Sequence, residues 1–204
     1  MTELLLEASR LLDERGIDLI HVHHRRVSMV LTVLSPLLRR PVLYSGNLSY
    51  GFSPAFWLFS PRRAIAVTDS VKHNIVATTR TRDVEVLGNP TPFPEQPPAI
   101  DIAAVRKRAV CVARFVPVKG HDTLIDAWAL LRDRGIDAEL VLVGEGPLRA
   151  ALEEKCRQLG IADRVVFRGY VADVRSEYAR SLFAILVSSI EGQGIVTIEA
   201  AAAG

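Results

Sequence analysis

Residues 139–160 read ELVLVGEGPLRAALEEKCRQLG, in which a short apolar run passes through a glycine turn into a segment of helical periodicity. The apolar run is typical of a buried strand in a parallel sheet. Pro147 suits a first helical position and Gly160 a helix end, so the pattern predicts a strand over 139–143 and a helix over 147–159. Together they make one βα unit.

The same alternation of apolar runs and helical segments continues on both sides of this unit. Before it, the sequence predicts strands at 19–22, 42–45, 64–67, 84–87 and 109–113, and helices at 3–15, 26–38, 70–79 and 122–134. After it, the sequence predicts strands at 165–168 and 183–188, and helices at 173–180 and 196–203. In the helix at 122–134, Leu124, Ile125, Trp128 and Leu131 form one apolar stripe, which predicts that Trp128 is a core residue rather than a cofactor contact. Regular βα alternation predicts an α/β protein built on parallel sheets.

A proline-rich stretch divides this pattern in two. Five of the eleven prolines fall between residues 90 and 98, which predicts a stiff, extended connector. We therefore predict an N-terminal lobe over 1–88, a linker over 89–104 and a C-terminal lobe over 105–204. Both lobes are predicted to be Rossmann-like parallel-sheet units.

Composition narrows the class of protein. A formal net charge of +2 over 204 residues is too balanced for the broad basic surface of a nucleic-acid binder, so no nucleic-acid partner is expected. The two cysteines, Cys111 and Cys156, form no metal-binding or disulfide pattern. Early charged residues do not fit a secretory signal, and three prolines interrupt the uncharged stretch 41–61. We expect a cytoplasmic protein.

Two cations follow the first strand of the C-terminal lobe. The segment VARFVPVKG, residues 112–120, places Arg114 and Lys119 in a short loop where a parallel sheet binds its ligands. Together they can hold a diphosphate, the arginine as a fork and the lysine as a point charge. The alternative is that both are solvated surface charges.

Glycine turns follow the next two strands. Gly144 and Gly146 allow a ligand close to the backbone at a helix start, where an anion is favoured. A dinucleotide fingerprint fails here because Arg149 occupies the third glycine position, and a tight turn without a ligand is the alternative. In FRGYVADV, residues 167–174, a strand ends at Gly169 before Tyr170, and Asp173 is a predicted N-cap.

The last segment, SSIEGQGIVTIEAAAAG, covers residues 188–204 and contains two glutamates. A strand delivers Glu191 to the sheet edge, and Glu199 follows about one turn into the next helix. Between them lie four candidates for binding a ligand, at a helix start where the glycines expose backbone amides: Gly192, Gln193, Gly194 and Ile195. Such a site can hold sugar hydroxyls, phosphates and a ribose, although two glutamates can also be spaced this way by chance.

The N-terminal lobe offers a histidine pair. In DLIHVHH, residues 18–24, His21 and His23 lie on one face of a strand end. They can line a polar cleft or form half of a zinc site, but no third ligand has suitable spacing.

These residues together resemble the GT-B retaining glycosyltransferases of family 4, the glycosyl transferases group 1. The E-x7-E element is matched by Glu191 and Glu199, and the earlier segments follow in the family's order. The resemblance implies that Glu191 contacts the transferred sugar, Glu199 the ribose, and Arg114 with Lys119 the diphosphate. It also implies transfer of a sugar from a nucleotide-diphosphate sugar to a glycan or lipid-linked acceptor, as in cell-envelope polysaccharide biosynthesis.

The resemblance extends to the N-terminal lobe. Asp18, His21 and His23 match a D-x-x-H-x-H pattern, and His23 is the second catalytic candidate beside Glu191. Two positions depart from the family: Asn47 stands where many members have a histidine, and Gln193 where an aromatic residue is usual. Members also begin with a strand and a glycine-rich loop and continue past the E-x7-E helix, so we expect this chain to be truncated at both ends.

No Asp-x-Asp occurs in the sequence, and two side-chain cations can neutralise a leaving diphosphate, so no metal or other cofactor is expected. Two other functions stay open. One is a GT-B fragment that is inert or only binds a nucleotide-sugar. The other is a nicotinamide oxidoreductase, for which the VGEGP turn is the sole argument.

Three arginine pairs flank apolar or aromatic segments, at positions 25 and 26, 39 and 40, and 62 and 63. The favoured interpretation is ordinary solvated arginines around a core. The alternative comes from the resemblance, because several family members dock on anionic membrane surfaces to reach lipid-linked acceptors; basic residues beside exposed aromatic rings would serve such peripheral contact with the inner membrane face.

Overall fold

The computed structural model describes residues 2–90 and 107–204, and it divides into two compact units. The first unit runs up to Asn89 and includes residues 191–193; the second covers Pro90–Ile190 and Gly194–Gly204. The chain thus changes unit beside the predicted start of the linker at residue 89. From residue 91 to its end, the predicted linker lies outside the described residues.

The first unit is a four-stranded parallel sheet with helices. Its elements in chain order are α1 (Thr2–Glu14), β1 (Ile20–Val22), α2 (Arg25–Leu38), β2 (Val42–Gly46), α3 (Pro54–Leu58), β3 (Arg63–Ala66), α4 (Asp69–Thr78) and β4 (Asp83–Val86). The strands pair in the order β1-β2-β3-β4. Tyr44 and Phe56 pack edge to face in a core completed by the buried side of α4.

The second unit repeats this plan with a different strand order. Its elements are β5 (Arg108–Val112), a 3₁₀ turn (Pro117–Lys119), α5 (His121–Asp133), β6 (Glu139–Val143), α6 (Arg149–Gln158), β7 (Val165–Gly169), α7 (Arg175–Ala179), β8 (Phe183–Ala184) and α8 (Ile195–Ala202). The strands are parallel in the order β7-β6-β5-β8. Because all their carboxyl ends share one edge, the loops that follow them are neighbours.

Helix α5 shows how the apolar pattern becomes core. Leu124, Ile125 and Trp128 are buried against the sheet, as the predicted apolar stripe requires. The Trp128 indole donates a hydrogen bond to the Ala138 carbonyl at 3.0 Å, so its one polar group is satisfied inside the core. The expectation that Trp128 is a core residue is confirmed.

Three predicted boundaries in the second unit are wrong. Strand β8 ends at Ala184 rather than residue 188, because the chain then leaves β5 and pairs with the loop that follows it. Helix α6 begins at Arg149, so Pro147 lies in the turn before it. Asp173 does not cap α7; its carboxylate accepts a hydrogen bond from the Arg175 amide, and that helix begins at Arg175 itself.

Helix α3 is not among the predicted elements. The glycine, serine and proline content around it is typical of a loop, yet Pro54 occupies a first-turn position and the Ser53 hydroxyl accepts a hydrogen bond from the Phe56 amide. This short helix buries Phe56 in the first core. Among the described helices, none combines the length and apolarity needed to cross a bilayer.

A buried ion pair ties β5 to α7. The Arg108 guanidinium lies 2.5 Å from the Glu177 carboxylate, and both side chains are more than nine-tenths buried. Arg108 also donates to the Ser181 hydroxyl at 3.1 Å, while Arg168 lies 3.4 Å from the other oxygen of Glu177. Arg108 also lies 3.8 Å from the Glu139 carboxylate, so loss of Glu177 would leave its buried charge with this longer contact alone as an ion pair.

We expect Glu177→Ala to lower the free energy of unfolding by about 3 kcal/mol, because the buried Arg108 would keep only its longer ion pair with Glu139, at 3.8 Å. Urea denaturation of the purified chain measures the change. Glu153→Ala is the matched control, since Glu153 forms a more exposed helical pair with Arg149 and should cost less than about 1 kcal/mol. Equal losses in the two variants would contradict a structural role for the buried pair.

Candidate functional site

The loops after β7 and β6 are joined by their backbones. The Gly144 amide donates a hydrogen bond to the Gly169 carbonyl at 2.8 Å. Gly169 has a φ of +73°, and a Cβ there would lie 2.9 Å from the Glu145 carboxylate. Glycine at this position therefore allows the third predicted segment to lie against the second.

The loops after β6 and β5 come still closer together. A Cβ on Gly144 would lie 2.1 Å from the Ala113 carbonyl oxygen, and one on Gly146 would lie 2.5 Å from the Phe115 carbonyl oxygen. The Phe115 amide donates to the Glu145 carbonyl at 3.0 Å. These glycines are required by the approach of the chain's own backbone, which is the alternative that the sequence left open beside ligand contact.

The loop after β8 is the fourth in this row of loops along the carboxyl edge of the second sheet. Gly120 has a φ of +70°, and a Cβ there would lie 2.4 Å from the Val187 carbonyl oxygen. Next to this contact, the Ser189 amide donates to the Val118 carbonyl at 2.9 Å. Residues 187–189, which precede Glu191, thus pack against the loop that contains Lys119. All four predicted segments meet at one edge of the second sheet.

The two predicted diphosphate-binding cations lie on the central loop of this row. Arg114 is exposed, and within the described part of the chain its side chain makes no hydrogen bond or ion pair. Lys119 ends the 3₁₀ turn and is half-buried. Its charge acts on the neighbouring His121, whose pKa it lowers. The edge therefore carries positive charge where the strands end.

His121 is a buried polar group that the sequence-based search missed. It is the first residue of α5, is 1% exposed and stacks edge to face on Phe115 with ring centroids 4.9 Å apart. Among the described residues, neither ring nitrogen has a hydrogen-bond partner. Burial, and secondarily the Lys119 charge, lowers the pKa of His121, so the ring is neutral. Its place directly after Lys119 and Gly120 was the available sequence signal.

Helix α8 begins at the same edge. Its N-cap is Gly194, with a φ of +63° and no side chain to satisfy the first amides, which start at the exposed Ile195. Glu199 is half-buried one turn later, close enough to α7 for its charge to raise the pKa of Tyr178, although burial is the larger cause. Tyr170, after β7, is 81% exposed.

Residues 191–193 belong to the first unit by their contacts. The Gln193 side-chain oxygen accepts a hydrogen bond from the Asn89 amide at 2.6 Å, so its side chain is engaged with the backbone. A Cβ on Gly192 would lie 1.7 Å from the Asn47 carbonyl oxygen, which requires glycine there. Glu191 is half-buried and has a polar partner.

The histidine pair lies at the corresponding edge of the first sheet. His21 and His23 have ring centroids 4.4 Å apart, and the His21 Nε2 lies 2.7 Å from the Ser45 hydroxyl. Burial and the neighbouring His23 lower the pKa of His21. Asp18 and His23 are exposed. Over residues 2–90 and 107–204, no three His, Cys, Asp or Glu side chains are grouped as metal ligands.

Comparison with known proteins decides the class of the second unit. Residues 106–204 match a family model described as glycosyl transferases group 1. Residues 106–204 form a glycosyl transferases group 1 domain. The predicted membership of the glycosyl transferases group 1 is thereby confirmed.

Two curated relatives of the chain are named as mannosyltransferases. The chain is 32% identical over 208 residues to the GDP-mannose-dependent alpha-(1-6)-phosphatidylinositol monomannoside mannosyltransferase of Mycolicibacterium smegmatis, a match covering 85% of this chain and 54% of that protein. The protein of the same name from Mycobacterium tuberculosis is 35% identical over 153 residues, which covers 62% and 40% of the two chains. The chain therefore spans about half the length of these relatives.

Solved structures show the same fold. Anabaena Alr3699/HepE in complex with UDP has a TM-score of 0.81 and 22% identity, over 98% of this chain and 61% of that one. The apo form of the lipopolysaccharide outer core galactosyltransferase WaaB has a TM-score of 0.71 and 18% identity, over 98% and 58%. These likenesses confirm the predicted α/β class with two parallel-sheet lobes of the GT-B type.

The neutral His121 of the group 1 domain makes stability depend on pH. Because its folded-state pKa lies below the unfolded value of about 6.5, the unfolded chain binds the proton first, and stability falls as the pH drops through that value. We expect His121→Leu, which keeps an apolar contact with Phe115, to lose less stability than the wild type between pH 7.5 and pH 5.5.

Urea denaturation at the two pH values measures this difference. His73→Leu is the control, because the His73 ring is exposed on α4 and should leave the pH dependence unchanged. A His121→Leu variant with the full wild-type pH dependence would show that the buried ring titrates normally.

Proposed function

We propose that the chain functions as a retaining glycosyltransferase, which moves a sugar from a nucleotide-diphosphate sugar to a glycan or lipid-linked acceptor. The observation that supports this most is the meeting of four loops at one sheet edge, with Arg114 exposed and unpaired among the described residues. The relatives are named as GDP-mannose-dependent enzymes, and Alr3699/HepE was solved with UDP. Both ligands are nucleoside diphosphates or derivatives of one.

In this proposal the donor binds along the edge of the second sheet. The diphosphate lies between Arg114, Lys119 and the uncapped first amides of α8, where a helix N-terminus favours an anion. Gly169 and Tyr170 border the same edge after β7. Because the backbone of 113–115 already fills the space over Gly144 and Gly146, these glycines act on the donor indirectly, by holding the Arg114 loop in place.

The two glutamates have different tasks. Glu199 projects from α8 in the second unit and is proposed to bind the ribose hydroxyls, since a half-buried carboxylate is a strong hydrogen-bond acceptor. Glu191 is proposed to contact the transferred sugar and is the first catalytic candidate. His23, at the edge of the first sheet, is the second.

Charge stabilisation is the main chemical contribution that these residues can make. As the sugar leaves, negative charge grows on the diphosphate, and Arg114 and Lys119 are placed by packed loops before the reaction begins. Two fixed cations and the α8 amides provide this stabilisation from the protein alone. We therefore propose that transfer proceeds without a metal ion.

The proposed acceptor is a glycan or lipid-linked saccharide of the cell envelope. The mycobacterial relatives are named for phosphatidylinositol mannoside acceptors, and WaaB for the lipopolysaccharide outer core. Such acceptors place the enzyme in the cytoplasm or on the inner face of the membrane. The histidine pair of the first unit is the group we propose to lie on the acceptor side.

Nucleotide binding tests the proposal directly. We expect GDP or UDP to bind the purified chain in isothermal titration calorimetry, and Arg114→Ala to weaken that binding by about 1.5–3 kcal/mol, the scale of a charge-assisted contact. Arg134→Ala is the control, because Arg134 is exposed at the opposite end of α5 and should not matter.

Failure of both nucleotides to bind, or equal effects of the two alanine variants, would contradict the donor site. The same samples, incubated with GDP-mannose or UDP-glucose and an envelope lipid extract, are then assayed for release of the nucleoside diphosphate. Nucleotide binding without any transfer would favour the alternative of a binding-only GT-B fragment.

A second titration should distinguish the roles of Glu191 and Glu199. We expect Glu199→Gln to weaken binding of the nucleoside diphosphate alone, because the ribose is part of that ligand. Glu191→Gln should weaken binding only of the intact nucleotide-sugar. Calorimetry with GDP and with GDP-mannose compares them, and equal effects of both variants on GDP would refute the assignment of roles.

A further inference from the structure

Helix α7 of the second unit carries a buried tyrosine hydroxyl. Tyr178 is 7% exposed and packs in a core with Val110, Val141 and Val143 of the sheet. Its hydroxyl oxygen is enclosed, and among the described residues it has no hydrogen-bond partner. Because an unpartnered buried hydroxyl is costly, a tyrosine at a position where phenylalanine would fill the same space requires an explanation.

Helix α8 packs against the same tyrosine. Ala203, at the end of the helix, is buried in the Tyr178 core, and Ala200 packs against that core. Glu199 lies one helical turn before Ala203, so the two side chains share the face of α8 that is turned toward α7. In keeping with this placement, the Glu199 charge adds to burial in raising the pKa of the Tyr178 phenol.

The Glu199 carboxylate is a strong hydrogen-bond acceptor for this hydroxyl. Cys111 on β5 also acts on Tyr178, but burial raises the pKa of that thiol to about 11, so it stays protonated and accepts only weakly. An ionised carboxylate forms much stronger hydrogen bonds. Because the glutamate side chain has three rotatable bonds, its carboxylate can approach the hydroxyl without any movement of α8.

Buried polar contacts hold α7 in place on both sides of Tyr178. Glu177, the preceding residue, forms the ion pair with Arg108 of β5. The Ser181 hydroxyl accepts a hydrogen bond from Arg108 at 3.1 Å and donates one to the Glu177 carbonyl at 2.7 Å. The Tyr178 hydroxyl is therefore a fixed donor beside a carboxylate whose side chain can rotate.

We propose that Tyr178 is a positioning residue of the donor site: its hydroxyl donates a hydrogen bond to one carboxylate oxygen of Glu199 and so directs the other oxygen to the ribose hydroxyls. This inference rests on the ribose contact proposed above for Glu199 and adds the residue that orients it. A glutamate that is fixed before binding loses less side-chain entropy when the ribose arrives. The tyrosine thus strengthens nucleotide binding without touching the nucleotide.

Removal of the hydroxyl alone tests this role. Tyr178→Phe keeps the ring and its packing, and we expect it to weaken binding of GDP or UDP about tenfold in isothermal titration calorimetry, the effect of one net hydrogen bond. The 2′,3′-dideoxy forms of these nucleotides lack the hydroxyls that Glu199 is proposed to bind. For them, Tyr178→Phe should change the affinity by less than about twofold, a difference between ligands that a loss of packing would not produce.

A double-mutant cycle shows whether the tyrosine acts through the glutamate. In a Glu199→Ala background, Tyr178→Phe should not weaken nucleotide binding any further, because the carboxylate that it positions is absent. Tyr44→Phe is the matched control. Tyr44 is also buried in a core, where it packs on Phe56 of the first unit, and its replacement should leave nucleotide affinity unchanged.

Urea denaturation of the same variants tests the pairing without any nucleotide. We expect the losses of unfolding free energy caused by Tyr178→Phe and Glu199→Ala to be less than additive in the double variant, since either change alone already removes the hydrogen bond. A cooperative transition in each variant confirms that it is folded, so a weaker nucleotide affinity is specific to the site.

Three results would overturn the proposal. They are equal effects of Tyr178→Phe on the ordinary and the dideoxy nucleotides, full additivity of the two changes in nucleotide binding, and full additivity in unfolding. If Glu199→Ala weakens nucleotide binding and Tyr178→Phe does not, the ribose contact stands and the positioning role fails. If neither GDP nor UDP binds, the donor site of the proposed function fails, and the unfolding cycle still decides whether the tyrosine holds the glutamate.

Discussion

The close approach of backbones at glycine positions is the constraint on which the second unit's site depends. A Cβ at Gly144 or Gly146 would collide with the carbonyl groups of Ala113 and Phe115, and one at Gly120 with that of Val187. Each contact removes a degree of freedom from a loop that otherwise would be held only at its strand. Arg114 therefore projects from a closely packed loop although its own side chain is exposed, and such fixed support is what electrostatic preorganisation requires.

The close packing at Gly144 and Gly146 changes the role that these glycines can have. A glycine-rich turn after a parallel strand is usually interpreted as room for a phosphate, and the sequence left that possibility open beside a tight turn. In this protein the room at Gly144 and Gly146 is taken by the neighbouring loop. In the proposed function the phosphates therefore contact the cations and the start of α8, where Gly194 leaves the first amides uncapped. On this proposal Gly144 and Gly146 hold the Arg114 loop in place without touching the ligand.

Repeated local patterns in the sequence predict the presence of helices and strands well, but they predict the ends of these elements less well. The βα alternation gave the fold class, and the Trp128 stripe gave part of the core, because apolar periodicity reports burial directly. The length of β8 was wrong because strand propensity cannot show that residues 187–189 find a better partner in the Val118 loop. Helix α3 was missed because its Ser53 cap and Pro54 resemble turn chemistry. His121 was missed because the burial of its ring against Phe115 depends on packing, and its place after Lys119 and Gly120 was the only local signal.

An unpaired cation indicates a functional site only when its surroundings are considered as well. Arg108 and Arg149 are explained by carboxylates in the fold, whereas Arg134 is as free of described partners as Arg114 and yet lies at a helix end with no neighbouring loop junction. What distinguishes Arg114 is its place where packed loops meet beside an uncapped helix start. In the proposed function, a diphosphate completes these surroundings.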